Sequence, residues 1–329
     1  VKVEATPFLR VRDPAGRPLP WVLVRAPVTG RARHARLAAL ARDGHRFAGM
    51  TSYAGFPGPG WRDERDYGLL CEAWFHCFRH PDRHLPPNGP RALISESDFT
   101  DPRRVDPARI TAAPRVDPAR IAAAPRVGPA RITAAPRVGP ARIAAAPRAD
   151  VVCVCAAHLA DLKNWPLVRR CLPRLLAAGL RVLVVDPPER AAPPGAEFTP
   201  RLPWPHLLAA VAGARCLLVP GVLDASPRVL AEALCLDVPV VVNRSILGGW
   251  KYVNAFTGVF FDGADDVVQA VTAACSGTRR PRAYFTAHHG PLRAGAAVLD
   301  VLRRLQPDLP AVSHVLLTPD DGGARPERR

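Results

Sequence analysis

A chain of 329 residues, 48% hydrophobic and 22% charged, is long enough for two globular domains and too apolar to be disordered throughout. It has no run of 18 apolar residues, which excludes a membrane-spanning helix from this sequence. The net charge of +16 would by itself suggest a polyanionic partner. Much of that charge falls in one repeated segment, however, and no Cys/His finger or aromatic, Arg-rich sheet motif accompanies it, so no specific nucleic-acid module is expected.

The opening VKVEATPFLR has no signal-peptide pattern. It starts with Val rather than Met, which leaves room for an upstream targeting segment, and a cytoplasmic location is only the default expectation. Trp21 to Arg91 reads as a small α/β unit. WVLVRAP predicts a strand, ARHARLAALARDG a helix ending at Gly44, and RFAGMTS a second strand, the order of a parallel sheet. YAGFPGPGWRDE is a Gly/Pro-rich loop. The aromatic LLCEAWFHCFRHPD is read as helical, and RALISESDF as a short strand with an acidic, hydroxyl-bearing end.

From Val105 to Arg148 four copies of an eleven-residue unit follow one another: VDPARITAAPR, VDPARIAAAPR, VGPARITAAPR and VGPARIAAAPR. Two Pro per copy remove amide donors and oppose a helix, so the segment is expected to be a disordered, extended insertion. A basic tether is the alternative. The repeats carry a net +6 of the +16, so the rest of the chain is basic without being extreme.

After Asp150 strands and helices alternate. VVCVCAA, LRVLVVD, CLLVPG and VPVVVN predict strands. WPLVRRCLPRLLAAG, WPHLLAAVAGA, SPRVLAEALCL, DDVVQAVTAACSG and HHGPLRAGAAVLDVLRRL predict helices. Near-continuous Val/Leu strands between helices imply a parallel sheet covered on both faces. The expected organisation is thus an N-terminal α/β domain over 1–102, the repeat insertion over 103–149, a Rossmann-like domain over 150–306 and a flexible tail over 307–329. The eight Cys fall mostly in apolar runs and read as buried free thiols, and no metal site is expected.

Within VPGVLDASPRVLAEALCLDVPVVVNRSILGGWKY, Ser226 is placed to cap a helix started by Pro227. That helix start leaves the carboxyl end of a strand, the ligand edge of an open α/β sheet. Its free amide groups and dipole suit a diphosphate, and Arg228 could add a charge. Glu232, eight residues after Asp224, carries an acceptor-only carboxylate suited to two adjacent sugar hydroxyls, although an isolated Glu on a helix usually faces solvent. Gly248 and Gly249 follow the next strand, which Asn243 ends, and allow close approach of backbone to a ligand. No GxGxxG follows a first strand and no GxxxxGK[ST] occurs, so dinucleotide and P-loop readings lack their defining features.

The Asp224–Tyr252 stretch resembles the donor-binding half of retaining glycosyltransferases of the GT-B fold, in a divergent, GT4-like form. Asp224 and Glu232 fall on the two acidic positions of the family's pattern, and LCLDVPVVVN matches the segment that enters the next strand. The customary Gly of that turn is replaced by Asp237. The resemblance implies two Rossmann-like domains, the N-terminal one small or truncated, and a nucleotide-sugar donor with no tightly bound cofactor. Glu232 would hold the donor ribose, and Asp224 would face the transferred sugar. Ser226 and the Arg228, Val229 and Leu230 backbone would lie near the diphosphate, with Asn243, Gly248 and Gly249 lining the donor.

The family's donor-binding cation is matched best by Lys163 in DLKNWPLVRR, with Arg169 as the second choice. In the N-terminal half, SYAGFPGP, EAWFHCFRHPD and LISESDFTD are the landmarks. They nominate His76 as a catalytic residue and Arg79, Glu96, Ser97 and Asp98 on the acceptor side, each with ordinary loop or cap chemistry as its alternative. The acceptor (glycan, lipid, protein or small molecule) and the oligomeric state are left open. The leading reading is retaining transfer from a nucleotide sugar. The alternative is a degenerate, non-catalytic transferase that binds nucleotide sugars or serves a structural role.

Overall fold

A computed structural model describes residues 6–26, 28, 30–51, 70–87, 89–108, 149–189, 192–276 and 279–320. SYAGFPGP and most of the repeat segment therefore lie outside the described residues. The chain divides into two compact units, one formed by Val1–Phe99 with His289–Arg329 and the other by Thr100–His288.

The first unit contains strands β1 (Phe8–Arg12) and β2 (Pro18–Val24), helix α1 (Arg31–Arg42), and strands β3 (Arg46–Met50), β4 (Cys71–Phe75) and β5 (Arg91–Ala92). Its sheet runs β12-β1-β2-β3-β4-β5, where β12 is Leu316–Pro319. Strands β2 to β5 pair in parallel, whereas β1 is antiparallel to both β2 and β12. One face of the sheet buries Trp21, Leu23, Met50 and Phe75 against Val298, Leu299 and Leu302 of the helix Pro291–Leu305.

Three expectations are corrected here. LLCEAWFHCFRHPD contains a strand rather than a helix. Ala73, Trp74 and Phe75 are all buried, so this central strand lacks the polar alternation that would have announced it. The helix Pro291–Leu305 belongs with the N-terminal unit, not with the 150–306 domain. The supposed tail from 307 supplies β12, which Asp320 anchors by accepting hydrogen bonds from Arg10 (2.8 Å) and Arg36 (2.7 and 2.8 Å).

The second unit alternates strand and helix: β6 (Val151–Val154), α2 (Trp165–Ala177), β7 (Val182–Val185), β8 (Ala196–Thr199), α3 (Trp204–Ala212) and β9 (Cys216–Val219). It continues with α4 (Arg228–Cys235), β10 (Val240–Asn243), β11 (Gly258–Phe261), α5 (Val267–Cys275) and α6 (Pro281–His288). All five pairings are parallel, in the order β11-β10-β9-β6-β7-β8. Counted from β6 this is the doubly wound Rossmann order, which reverses direction between its first strand, β6, and its fourth, β9.

Successive strand residues alternate between two cores. Leu217, Val219, Val240 and Val242 pack towards α3, α4 and α6, while Cys216, Leu218, Val241 and Cys153 pack towards α2 and α5. Burying each such aliphatic side chain stabilises by about 1.5–3 kcal/mol, and burial on both faces is why these strands carry so few polar residues. Val105, assigned to the insertion, instead belongs to the first of these cores. Arg282 holds the segment by donating to the carbonyls of Pro102 (3.0 Å) and Val105 (2.9 Å), and to that of Cys235.

Candidate functional site

The crevice at the carboxyl ends of β6 and β9 is where an open α/β sheet binds ligands, because the connections from these two strands depart to opposite faces. Lys163 comes from the segment after β6 and Asp224 from the segment after β9. The Lys163 ammonium contacts Asp224 Oδ2 directly, and both side chains are largely buried, with 17% and 10% of their surface exposed. Local backbone geometry brings them together. Asn164, at φ +54°, turns the chain into α2, and its side-chain amide donates to the Pro220 carbonyl at 3.2 Å.

Asp224 also organises the loop that follows. Its Oδ1 accepts the Ser226 N–H at 3.2 Å, and its backbone carbonyl accepts the Gly248 N–H at 2.9 Å. The Leu247 N–H donates to the Val222 carbonyl at 2.8 Å, so the glycine turn after β10 lies along the loop after β9. Gly249 is required there. It has φ +82°, and a Cβ would fall 2.6 Å from Pro227 Cγ.

Ser226 is not the N-cap residue of α4. The N-cap is Pro227, without a side-chain cap hydrogen bond, and the Ser226 amide is drawn to Asp224. Arg228 is exposed at the first position of α4, Val229 is half-buried and Leu230 is fully buried in the core. The first-turn amides of α4 carry the positive end of its dipole beside this loop. Asn243 is buried and its Oδ1 accepts the Ser245 N–H at 2.9 Å, a turn-forming role.

Glu232 lies one turn after Arg228 and is half-buried. Burial pushes its carboxyl above the ordinary value, while a hydrogen bond from Trp204 and the charge of Arg228 oppose that rise. The indole Nε1 of Trp204 donates to Glu232 Oε1 at 2.9 Å. Nothing in the sequence singled out Trp204, since the contact joins two helices through tertiary packing. Asp237, in the position of the family's customary Gly, has φ +63°, the left-handed conformation that makes Gly customary at such a helix end.

In the first unit, His76 is buried beyond β4, with its amide donating to the Ala92 carbonyl at 2.9 Å, and Arg79 is exposed. Glu96 pairs with Arg25 at 2.5 Å. Ser97 is fully buried. Asp98 Oδ2 accepts the Ser95 N–H at 2.7 Å, Oδ1 lies 3.1 Å from His289 Nδ1, and its backbone carbonyl accepts the Gly290 N–H at 3.0 Å. Asp98 thereby ties the 3-10 turn Glu96–Phe99 to the start of the helix Pro291–Leu305.

Among the described residues no group of three or more His, Cys, Asp or Glu is placed to hold a metal ion. No helix among them is long and apolar enough to cross a membrane.

No protein-family model matches the chain, and no curated protein matches it. Solved structures do. A glycosyltransferase from Rickettsia africae ESF-5 superposes with a TM-score of 0.56 at 10% identity, over 88% of this chain and 77% of that one. Sucrose-phosphate synthase from Thermosynechococcus elongatus gives 0.52 at 11% identity, over 83% and 71%. Anabaena HepE in complex with UDP gives 0.50 at 10% identity, over 86% and 78%. At such identities the likeness is one of fold, and the fold is GT-B-like: two α/β units of Rossmann type, as in these structures.

Proposed function

We propose that the protein is a glycosyltransferase that takes a sugar from a nucleotide-sugar donor, with retention at the anomeric carbon, and that its second unit holds the donor. The observation that carries this reading is the meeting of Lys163 and Asp224 at the strand-order reversal of a GT-B-like unit. Glu232 receives the ribose hydroxyls. The first turn of α4, with Arg228, receives the diphosphate. As the glycosidic bond breaks, negative charge develops on the leaving diphosphate, and Lys163 with the α4 amides stabilises it. Asp224 faces the sugar and holds Lys163 in place. Arg79, Glu96, Ser97 and Asp98, with His76, remain the acceptor-side proposals of the first unit. Asp98 and Glu96 also brace that unit through the contacts described above.

The second reading, a nucleotide-sugar-binding protein without turnover, is favoured by one observation. Lys163 already has its charge matched by Asp224, which lowers the countercharge left for a diphosphate. Turnover separates the two. UDP-, GDP- and ADP-glucose are incubated with the protein and a panel of glycan, lipid, protein and small-molecule hydroxyl acceptors, and release of nucleoside diphosphate is followed. The transferase reading expects release above the protein-free background, abolished by Asp224→Ala. Release at background level, with donor binding intact, selects the second reading. HepE was solved with UDP, so a uridine donor is the first to test.

A further inference from the structure

Trp204 opens α3 and stands between two prolines, Pro203 as N-cap and Pro205 in the first turn. Proline fixes φ, so the backbone that carries this side chain has little freedom. Leu208 and Val211 of the same helix are buried in the core shared with α4, which locks α3 against α4. Trp204 is 46% exposed. Its one polar atom donates to Glu232 Oε1 at 2.9 Å. An exposed indole N–H is readily satisfied by water. Here it instead meets a carboxylate 28 residues away in sequence, at the site proposed for the donor's ribose.

We infer that Trp204 is a positioning residue for Glu232: its indole N–H takes up Oε1 and fixes the carboxylate plane so that Oε2 and the remaining lone pair of Oε1 face a vicinal diol. The inference rests on the donor-site reading of Glu232. A carboxylate oxygen has two acceptor directions, so an indole on one of them leaves the pair able to receive two hydroxyls. The other charged groups nearby are committed differently. Arg228 lies one turn back on α4 and exposed, Arg282 of α6 is spent on three backbone carbonyls, and Asp237 accepts the Arg282 N–H at 2.9 Å. His206 follows on α3, half-buried. Among the described residues Trp204 is the only hydrogen-bond donor to the Glu232 carboxylate.

The test is a ratio of affinities, which a general loss of structure does not move. UDP, GDP and ADP are titrated into the full chain. The one that binds is compared with its 2′,3′-dideoxy form, which lacks both hydroxyls, in the unaltered protein and in Trp204→Phe, Trp204→Tyr and Glu232→Gln. Far-UV circular dichroism confirms that each variant is folded, and the two Trp204 variants guard against one of them failing to fold. The expected result is a preference for ribose in the unaltered protein that falls about tenfold on loss of the indole N–H, with affinity for the dideoxy form unchanged. A preference that collapses in Glu232→Gln but stays intact in both Trp204 variants overturns this inference alone. No binding of any nucleoside diphosphate by the unaltered protein overturns the donor-site reading and this inference with it.

Discussion

The Lys163 ammonium rests on the Asp224 carboxylate although 61 residues separate them in the chain. Each arrives at the end of a different strand, β6 for Lys163 and β9 for Asp224, and these strands are neighbours only because the sheet is doubly wound. The pair joins the fold to the chemistry proposed for it. Both charges are largely desolvated, so removing either leaves the other without compensation.

Lys163→Ala should therefore destabilise the second unit by about 3 kcal/mol, the lower end of the range for breaking a buried pair. Adding Asp224→Ala should cost less than the sum of the single changes, by at least about 1 kcal/mol. Urea denaturation of the four proteins measures this. Strict additivity would show that the contact does not couple the two residues.

Glu232 gives a pH signature. Burial raises its carboxyl pKa in the folded state above the ordinary 4.5, so the folded protein favours the protonated form more than the unfolded chain does. Its contribution is fully present below the unfolded value and is lost as pH rises through the folded one. Glu232→Gln, which cannot ionise and can still accept from Trp204, should match the unaltered protein near pH 3.5. It should be the more stable of the two at pH 7.5. Denaturation midpoints at both pH values decide; a Gln variant less stable at pH 7.5 would reverse the sign.

Gly249→Ala combines a left-handed φ with a Cβ driven onto Pro227. The expected loss is about 2 kcal/mol, seen as a lower thermal midpoint. Gly263→Ala, where a Cβ meets nothing within 4 Å and φ is not left-handed, is the control and should change little.

The second unit was the more legible part of the sequence, because its strands are buried on both faces and read as uninterrupted Val/Leu runs between helices. The edge strands Ala196–Thr199 and Gly258–Phe261 were not legible: their residues AEFT and GVFF include polar or aromatic side chains in place of a Val/Leu run. β12 was hidden for another reason. Its partner β1 lies about three hundred residues earlier, with Arg10 opposite Thr318, and no local pattern announces such a pairing.

At the candidate site, Asp224 and Glu232 stood out through the resemblance to a family pattern, and so did Lys163, as the best match in DLKNWPLVRR to that pattern's donor-binding cation. Geometry supplied what spacing did not. Pro227 rather than Ser226 is the N-cap of α4, with the Ser226 amide on Asp224, Asn243 folds into its own turn, and Trp204 reaches Glu232 from another helix. Asp237 shows the same gap from the other side. Its sequence departs from the family's Gly, yet its backbone keeps the left-handed angle and its side chain accepts the Arg282 amide.

The central claim is that the second unit binds the nucleoside diphosphate of a donor through Glu232. Calorimetric titration of UDP, GDP and ADP into the unaltered protein and into folded Glu232→Ala tests it most directly. The account predicts that one of the three binds the unaltered protein and binds Glu232→Ala at least about tenfold more weakly. Equal affinity in the two proteins, or no binding to either, would contradict it.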